Sequence, residues 1–209
     1  MTEKKPDVKA FFDEATFTVT YAVSDPVTRK AAIVDPVLDF DPISGRTTTR
    51  SADEVVEYVR EQDLDVDWIL ETHVHADHLS GAPYIKETLG GQTAIGAAVQ
   101  TVQDTFKGIF NLKDLAADGS QFDRLFEDGD TFPVGDIVGR VIATPGHTPA
   151  CVTYVIGDSA YVGDTLFMPD FGTARCDFPG GNAGQLYDSI QKTLSLPDDT
   201  RLFMCHDYK

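Results

Sequence analysis

The stretch THVHADH, residues 72–78, decides how this sequence is interpreted, because it holds three histidines and one aspartate within six residues. It follows VDWILE, an apolar run typical of a short strand. In an extended segment residues two apart point the same way, so His73 and His75 can reach one metal ion. If the chain then turns into a helix, Asp77 and His78 lie at its first turn and point differently, so that they can bind a second ion or orient ligands of the first. A polar loop whose histidines only hydrogen-bond is the alternative, but this density of ligand groups favours a metal site.

The other two of the five histidines also fall at turns or strand ends. His147 lies in TPGHTPA, between two prolines and after a predicted strand. His206 comes directly after the last predicted strand, in CHDY. Asp164 follows a glycine in VGDTLF, where the absence of a side chain lets the backbone approach closely. Because sites on layered folds are assembled at such strand ends, the sequence predicts one constellation from separate segments.

Hydrophobic patterning predicts an α+β layered fold, with strand pairs, then helix, strand and helix, then strands again. We predict strands over residues 15–25, 30–38, 66–71, 93–95, 137–143, 151–156, 160–162 and 201–204. We predict helices over residues 51–64, 80–89, 97–107 and 185–194. Ser51 and Glu54 have the spacing of a capping box, which predicts that the first helix begins at Ser51. Residues 108–127 carry no readable pattern.

The composition limits the classes of partner. The 209 residues carry 17 basic and 34 acidic side chains, a formal net charge of −17, which argues against binding to nucleic acid or to anionic lipid. Cys151, Cys176 and Cys205 form no CxxC pair, so neither a disulfide framework nor a thiolate zinc site is predicted. With no apolar run of about 18 residues and no apolar leader, we expect no membrane span and a cytoplasmic protein.

The order HxHxDH, His147, Asp164 and His206 resembles the metallo-β-lactamase superfamily over nearly the whole chain. The resemblance implies a single domain over residues 1–209 with a four-layer αββα sandwich and a metal site along one sheet edge. In the dinuclear hydrolases of the superfamily, it implies one ion on His73, His75 and His147, another on Asp77, His78 and His206, and Asp164 as the bridge.

The finer motifs THVHADHLSGA, PGHTPACVTYV, GDTLF, ARCDF and HDY are similar to persulfide dioxygenases, the sulfur-dioxygenase branch close to glyoxalase II. This resemblance implies one Fe(II) held by His73, His147 and Asp164, with positions left open for O₂ and for a thiolate-like sulfur. The remaining ligand-type residues would then orient the ligands and bias the metal. The same branch includes bacterial proteins named β-lactamase-like hydrolases.

The expected activity is therefore oxidation of glutathione persulfide, or of a similar small persulfide, to sulfite and free thiol by a mononuclear non-haem iron dioxygenase. The alternative is a dinuclear zinc hydrolase of a thioester, lactone or β-lactam that uses a metal-bound hydroxide. A third possibility, a non-catalytic sulfide-responsive binding protein, is disfavoured by the intact ligand set. Expected partners are the thiol or persulfide and O₂. The sequence is compatible with a homodimer.

Substrate contacts are less well specified than metal ligands. Arg175 can hold a carboxylate of a glutathione-like thiol or pair with Asp170 or Asp177. Tyr208 can donate to a bound substrate or only pack against its neighbours. Cys176 and Cys205 flank the site motifs, and buried, unreactive thiols are the simpler expectation for them. Asp35, before a proline, is expected to orient a turn near the site edge, and members of the branch usually continue for several dozen residues beyond HDY.

Overall fold

Two large β-sheets and four α-helices make up residues 5–208, the part of the chain that the structure, a computed structural model, describes. The predicted domain limits at Met1 and Lys209 lie just outside these residues. In chain order the elements are β1 (Asp7–Asp13), β2 (Thr18–Ser24), β3 (Lys30–Val34), β4 (Val37–Asp41), β5 (Arg46–Thr48), α1 (Arg50–Glu61), β6 (Asp65–Leu70), β7 (Leu79–Ser80), α2 (Ala82–Leu89), β8 (Gln92–Gly96), α3 (Val99–Ile109), β9 (Arg124–Phe126), β10 (Thr131–Val134), β11 (Ile137–Ala143), β12 (Val152–Ile156), β13 (Ser159–Tyr161), a 3-10 helix (Gly163–Thr165), α4 (Ala183–Leu194) and β14 (Arg201–Phe203).

Strand pairing builds one mixed sheet from each half of the chain. The first has the order β1-β2-β3-β6-β8-β9, antiparallel from β1 to β3 and parallel from β3 to β9. The second has the order β10-β11-β12-β13-β14, antiparallel except that β14 runs parallel to β13. A small third sheet joins β5, β4 and β7. Parallel β13 and β14 end at the same sheet edge, which brings the segments that follow them together.

The main core lies between the two large sheets. Val23 and Val34 of the first sheet and Val141 and Tyr154 of the second are fully buried in one cluster. All seven residues of β2 are buried, because its other face is also covered. Each fully buried aliphatic side chain here contributes about 1.5–3 kcal/mol relative to an exposed one.

Helices cover the outer faces and complete the layers. Helices α1 and α2 pack Val55 and Ile85 against Ile33 and Ile69 on the outer face of the first sheet. On the side of the second sheet, the Lys192 ammonium of α4 donates to a carbonyl at the end of β11 at 2.9 Å. The predicted four-layer αββα sandwich is therefore confirmed, and within the described residues no helix has the length and apolarity to cross a bilayer.

The prediction that Ser51 starts the first helix was wrong. Helix α1 begins at Arg50 after the N-cap residue Thr49. The backbone N–H and the hydroxyl of Ser51 both donate to the Asp39 carboxylate, at 2.9 Å each, so a side chain twelve residues away takes the role expected of Glu54. A distant carboxylate satisfies the free N–H groups of a helix start as well as a local one does.

Several strands differ from the prediction. The apolar run over residues 30–38 splits into β3 and β4, which lie in different sheets, because Asp35 has a positive φ of 49° and Pro36 follows it. Strand β1 was missed because it is an edge strand with mostly exposed side chains and no clear alternation. Strand β9, inside the unreadable stretch, contains only three residues.

Candidate metal centre

The predicted ligands follow four separate strands, one in the first sheet and three in the second, which end at the same end of the sandwich. The chain leaves β6 into the loop with His73, His75, Asp77 and His78, and it leaves β11 into the turn with His147. Asp164 lies in the 3-10 helix after β13, and His206 follows β14. The structure therefore brings all seven predicted ligand residues to the same end of the sandwich. Which of them bind a metal stays a prediction.

Two glycines make the close approach of these segments possible. Gly146 precedes His147 with a φ of +145°, and a Cβ there would lie 2.4 Å from the backbone Cα of Leu186. Gly163 precedes Asp164 with a φ of +53°, and a Cβ there would lie 2.6 Å from the Thr72 hydroxyl oxygen. Only a residue without a side chain fits these positions.

His73, His147 and Asp164 form a fully buried cluster of ligand atoms. Nε2 of His73 and Nε2 of His147 each lie 3.6 Å from Oδ2 of Asp164, and all three residues are buried. Two donors about 2.1 Å from a shared ion lie about 3.0–3.4 Å apart, close to these spacings. His73 Nε2 and Asp164 Oδ1 are buried without any hydrogen-bond partner among the described residues. This donor set fits a divalent metal ion.

Hydrogen bonds at the opposite ring nitrogens aim both imidazoles at the cluster. Nδ1 of His147 donates to the carbonyl oxygen of Arg175 at 2.8 Å. Nδ1 of His73 lies 3.0 Å from the Thr72 hydroxyl, which itself donates to Asp35 at 2.8 Å. A ring that donates through Nδ1 keeps a lone pair on Nε2, which is the form that binds a metal.

Burial sets the charge of these groups. It lowers the pKa of His73 well below its ordinary value and lowers that of His147, so both rings are neutral near pH 7. Burial also raises the pKa of Asp164 to about 7. A divalent cation beside this carboxyl group would stabilise its charged form and reverse the shift.

His75 is held by two buried carboxylates. Its Nε2 lies 3.0 Å from Oε2 of Glu71 and 3.2 Å from Oδ1 of Asp35, and the three side chains are 3% exposed. Burial alone would lower the pKa of His75, but the two carboxylates outweigh it and raise the pKa well above the ordinary value. Its Nδ1 is buried without a partner among the described residues, and a metal ion that binds there has to displace the proton that the raised pKa keeps on the ring.

A second cluster lies beside the first. Ligand atoms of His75, Asp77 and His78 lie within 4.8 Å of one another, and the group does not include His73. Nε2 of His206 lies 3.4 Å from Oδ2 of Asp77 and 3.4 Å from Oδ1 of Asp164. Asp164 therefore turns Oδ2 to His73 and His147 and Oδ1 to His206, an arrangement that can serve one ion or two.

The predicted substrate contacts lie in different surroundings. The Arg175 guanidinium is exposed and lies 3.2 Å from the Asp177 carboxylate, the ion pair considered as the alternative for this residue. The ring of Tyr208 stacks on His206, with centroids 5.0 Å apart, and contacts Phe171 at 4.6 Å. Their roles toward a substrate stay predictions, although the backbone of Arg175 clearly orients His147.

Sequence reasoning missed Glu71 and underrated Asp35, whereas the expectation of a buried, unreactive thiol agrees with the structure at Cys205. Glu71 directly precedes the motif and lies four residues before His75, a spacing that could have indicated the pair. Cys205 is buried beside Asp164 and His206, and burial raises the pKa of its thiol well above the ordinary value. The neutral thiol of Cys205 is therefore a poor nucleophile, whereas Cys176 is half-buried.

A buried set of histidines and aspartates at the edge of an αββα sandwich defines a class of metal-dependent enzymes. The model of the Metallo-beta-lactamase superfamily matches residues 16–206, and the chain belongs to this superfamily.

Relatives with different names share this fold. A Beta-lactamase hydrolase-like protein of Agrobacterium fabrum is 57% identical over 204 residues, which are 98% of this chain and 47% of that protein. The chain thus spans about half the length of that relative. The human mitochondrial Persulfide dioxygenase ETHE1 is 31% identical over 96% of this chain and 68% of its own. The crystal structure of ETHE1 from Myxococcus xanthus superimposes with a TM-score of 0.78 at 32% identity, over 97% of this chain and 76% of that one.

Proposed function

We propose that the protein is a mononuclear non-haem iron dioxygenase that oxidises glutathione persulfide or a similar small persulfide. One persulfide, one O₂ and one water would give the thiol, sulfite and two protons. The outer sulfur would lose four electrons to O₂, and its bond to the inner sulfur would break. The 31% identity to a named persulfide dioxygenase supports this proposal.

The observation that carries the proposal is the cluster of His73, His147 and Asp164. Two imidazoles and one carboxylate on one side of an ion are the donor set typical of oxygen-activating iron(II). Bound there, iron(II) would supply the redox chemistry between O₂ and sulfur. The partnerless Nε2 of His73 and Oδ1 of Asp164 are the groups that such an ion would satisfy.

The protein's own residues orient the two imidazole rings and cover part of the cluster with an apolar side chain. The carbonyl of Arg175 and the hydroxyl of Thr72 fix the two imidazole rings, and Phe178 packs 5.7 Å from the ring of His147. Asp35 and Glu71 both contact Nε2 of His75, so this nitrogen is used for hydrogen bonds and is not free to bind a metal. Arg175 would position the substrate and Tyr208 would contact it from the side of His206.

The partners in this proposal are a small thiol or persulfide and O₂, in the cytoplasm. The net charge of −17 disfavours nucleic acid and anionic membranes as ligands. A homodimer is compatible with the proposal but no part of the site requires it.

A dinuclear zinc hydrolase of a thioester, lactone or β-lactam is the second candidate. The observation in its favour is His206, whose Nε2 lies 3.4 Å from both Asp77 and Asp164, where a second ion could be held. The relative named hydrolase-like, at 57% identity, points the same way. A zinc ion would supply hydroxide at neutral pH by lowering the pKa of its water.

Metal content and O₂ uptake separate the two candidates. We expect protein purified without added metal to carry about one iron per chain and to consume O₂ on addition of glutathione persulfide. His147→Ala should lose both the iron and the uptake. Two zinc ions per chain with no O₂ uptake would refute the dioxygenase, and hydrolysis of a glutathione thioester by that protein would establish the second candidate.

A further inference from the structure

A hairpin next to the metal centre forms one wall of a large groove. Strand β4 pairs with β5 on one side and with β7 on the other, and β7 comes directly after His78. The groove, about 910 Å³, is lined by His75, Asp77 and His78, by residues of the hairpin and by the turn after β1. Pockets for small-molecule ligands measure about 300–1,000 Å³, so a tripeptide-sized thiol fits.

The acidic side chains of this groove are mostly engaged. Asp39 accepts hydrogen bonds from Ser51 and pairs with Arg50 at 3.2 Å. Asp41 accepts from the backbone of Ile43 and the hydroxyl of Ser44, at 2.9 and 2.7 Å. Asp13, also in the lining, accepts from Thr16. These carboxylates stabilise turns and a helix start, which leaves Asp77 to face the metal centre.

Arg46 is the basic side chain of the groove without a partner. Arg50, the other base in the lining, is paired with Asp39, whereas Arg46 is exposed and makes no ion pair or side-chain hydrogen bond among residues 5–208. In a chain with a net charge of −17, an anionic ligand needs a local positive group to approach the site. A planar guanidinium suits a carboxylate because it can donate two parallel hydrogen bonds.

We propose that Arg46 on the β4–β5 hairpin binds a carboxylate of the substrate while its sulfur end reaches the metal centre. The inference deepens the proposed function and rests on it for the identity of the substrate, a carboxylate-bearing thiol derivative. It makes Arg46 a determinant of specificity, because Arg46 binds the carboxylate, while the exposed Arg175, already paired with Asp177, positions another part of the substrate.

Binding of an unreactive analogue tests the inference without catalysis. Titration calorimetry would compare S-methylglutathione with its diethyl ester on the wild type, Arg46→Gln and Arg46→Lys. We expect the wild type to bind the diacid about 3- to 10-fold more tightly than the ester. Arg46→Gln should abolish that preference, and Arg46→Lys should retain part of it.

Arg140→Gln is the matched control, since Arg140 is an exposed strand arginine that does not line the groove and has no ion pair among the described residues. It should keep the wild-type preference. Equal binding of diacid and ester by the wild type, or an unchanged preference in Arg46→Gln, would overturn the inference.

Oxygen uptake keeps the two proposals distinguishable. With glutathione persulfide, Arg46→Gln should raise KM about 3- to 10-fold with little change in kcat, and it should leave KM for the diethyl ester persulfide unchanged. An equal rise for both substrates would indicate a structural defect and contradict the inference. If the wild type consumes no O₂ but Arg46→Gln abolishes the calorimetric preference, the dioxygenase fails and the carboxylate site stands.

Discussion

Nε2 of His75 lies 3.0 Å from Oε2 of Glu71, four residues earlier, and both side chains are 3% exposed. Asp35 approaches the same nitrogen at 3.2 Å. The Ser80 hydroxyl donates to the other oxygen of Glu71, and the Tyr154 hydroxyl donates to the Glu71 carbonyl at 3.0 Å. Glu71 is thus fixed by its neighbours, and through it the free Nδ1 of His75 takes a defined direction beside the metal centre.

Replacing Glu71 by glutamine should weaken the hydrogen bond to His75 because the amide carries no charge. Loss of a partner that orients a ligand typically costs 10- to 100-fold in metal affinity. We expect Glu71→Gln to lower the affinity for an ion bound through His75 by about this factor. An ion bound by His73, His147 and Asp164 should be retained. Chelator competition with metal analysis measures both, and Glu87→Gln on the exposed face of α2 is the control. Unchanged affinity in Glu71→Gln would show that Asp35 alone orients the ring.

Gly146→Ala should destabilise the protein and displace His147. The added Cβ would lie 2.4 Å from the backbone of Leu186, so the turn or α4 has to move. Gly129→Ala is a matched control, since Gly129 also has a positive φ, +86°, but nothing lies within 4 Å of the Cβ. We expect Gly146→Ala to unfold in urea with about 2 kcal/mol less stability than Gly129→Ala and to lose metal. Equal stabilities would mean that the loop accommodates the methyl group.

Tyr154→Phe should lower stability while leaving the metal content intact. The phenol is fully buried in the main core and satisfies the carbonyl of Glu71. Its removal leaves that buried carbonyl without this donor, a cost of about 1–3 kcal/mol. Urea denaturation measures the loss, and Tyr187→Phe, at a position 64% exposed, should change stability by less than about 0.5 kcal/mol. A metal-free Tyr154→Phe protein would instead assign the phenol a role in building the site.

The sequence indicates which residues assemble at the candidate metal centre because their signals are local, and their binding of a metal stays a prediction. The spacing within THVHADH, the prolines and glycine around His147 and the glycine before Asp164 all act within a few residues. The prediction of the αββα sandwich and of the superfamily is confirmed, since those segments meet at one end of two packed sheets and the family model matches residues 16–206.

Some partners that orient the ligands could not be predicted because they are distant in the chain, unlike Thr72 and Glu71, which lie next to the motif. Asp35 meets His75 across 40 residues, and the carbonyl of Arg175 meets His147 across 28. The same reason explains the error at the first helix, where Asp39 replaces Glu54 as the capping partner of Ser51. Such pairings depend on which strands become neighbours in the fold. A pattern of nearby residues does not predict this order of strands.

The ion pair of Asp158 and Arg201 should make stability depend on pH through its effect on the second sheet. Oδ1 and Oδ2 of Asp158 lie 2.6 and 3.2 Å from the guanidinium, at the start of the parallel β13–β14 pair that leads to His206. Burial tends to raise the pKa of Asp158, but the hydrogen bonds from Arg201 and Ser159 outweigh it and lower the pKa.

A carboxyl group with a lowered pKa in the folded state stabilises that state above its unfolded pKa of about 3.9, and the stabilisation is lost as the pH falls through the folded value. Asp158→Asn should therefore be about 1–3 kcal/mol less stable than the wild type from pH 8 to pH 5, and the gap should narrow below about pH 4. Urea titrations across this range measure the gap. The control is Asp199→Asn at an exposed position, which should be as stable as the wild type throughout this pH range. A protonated Asp158 can no longer attract Arg201. A stability difference between Asp158→Asn and the wild type that widens on acidification would therefore contradict the assignment.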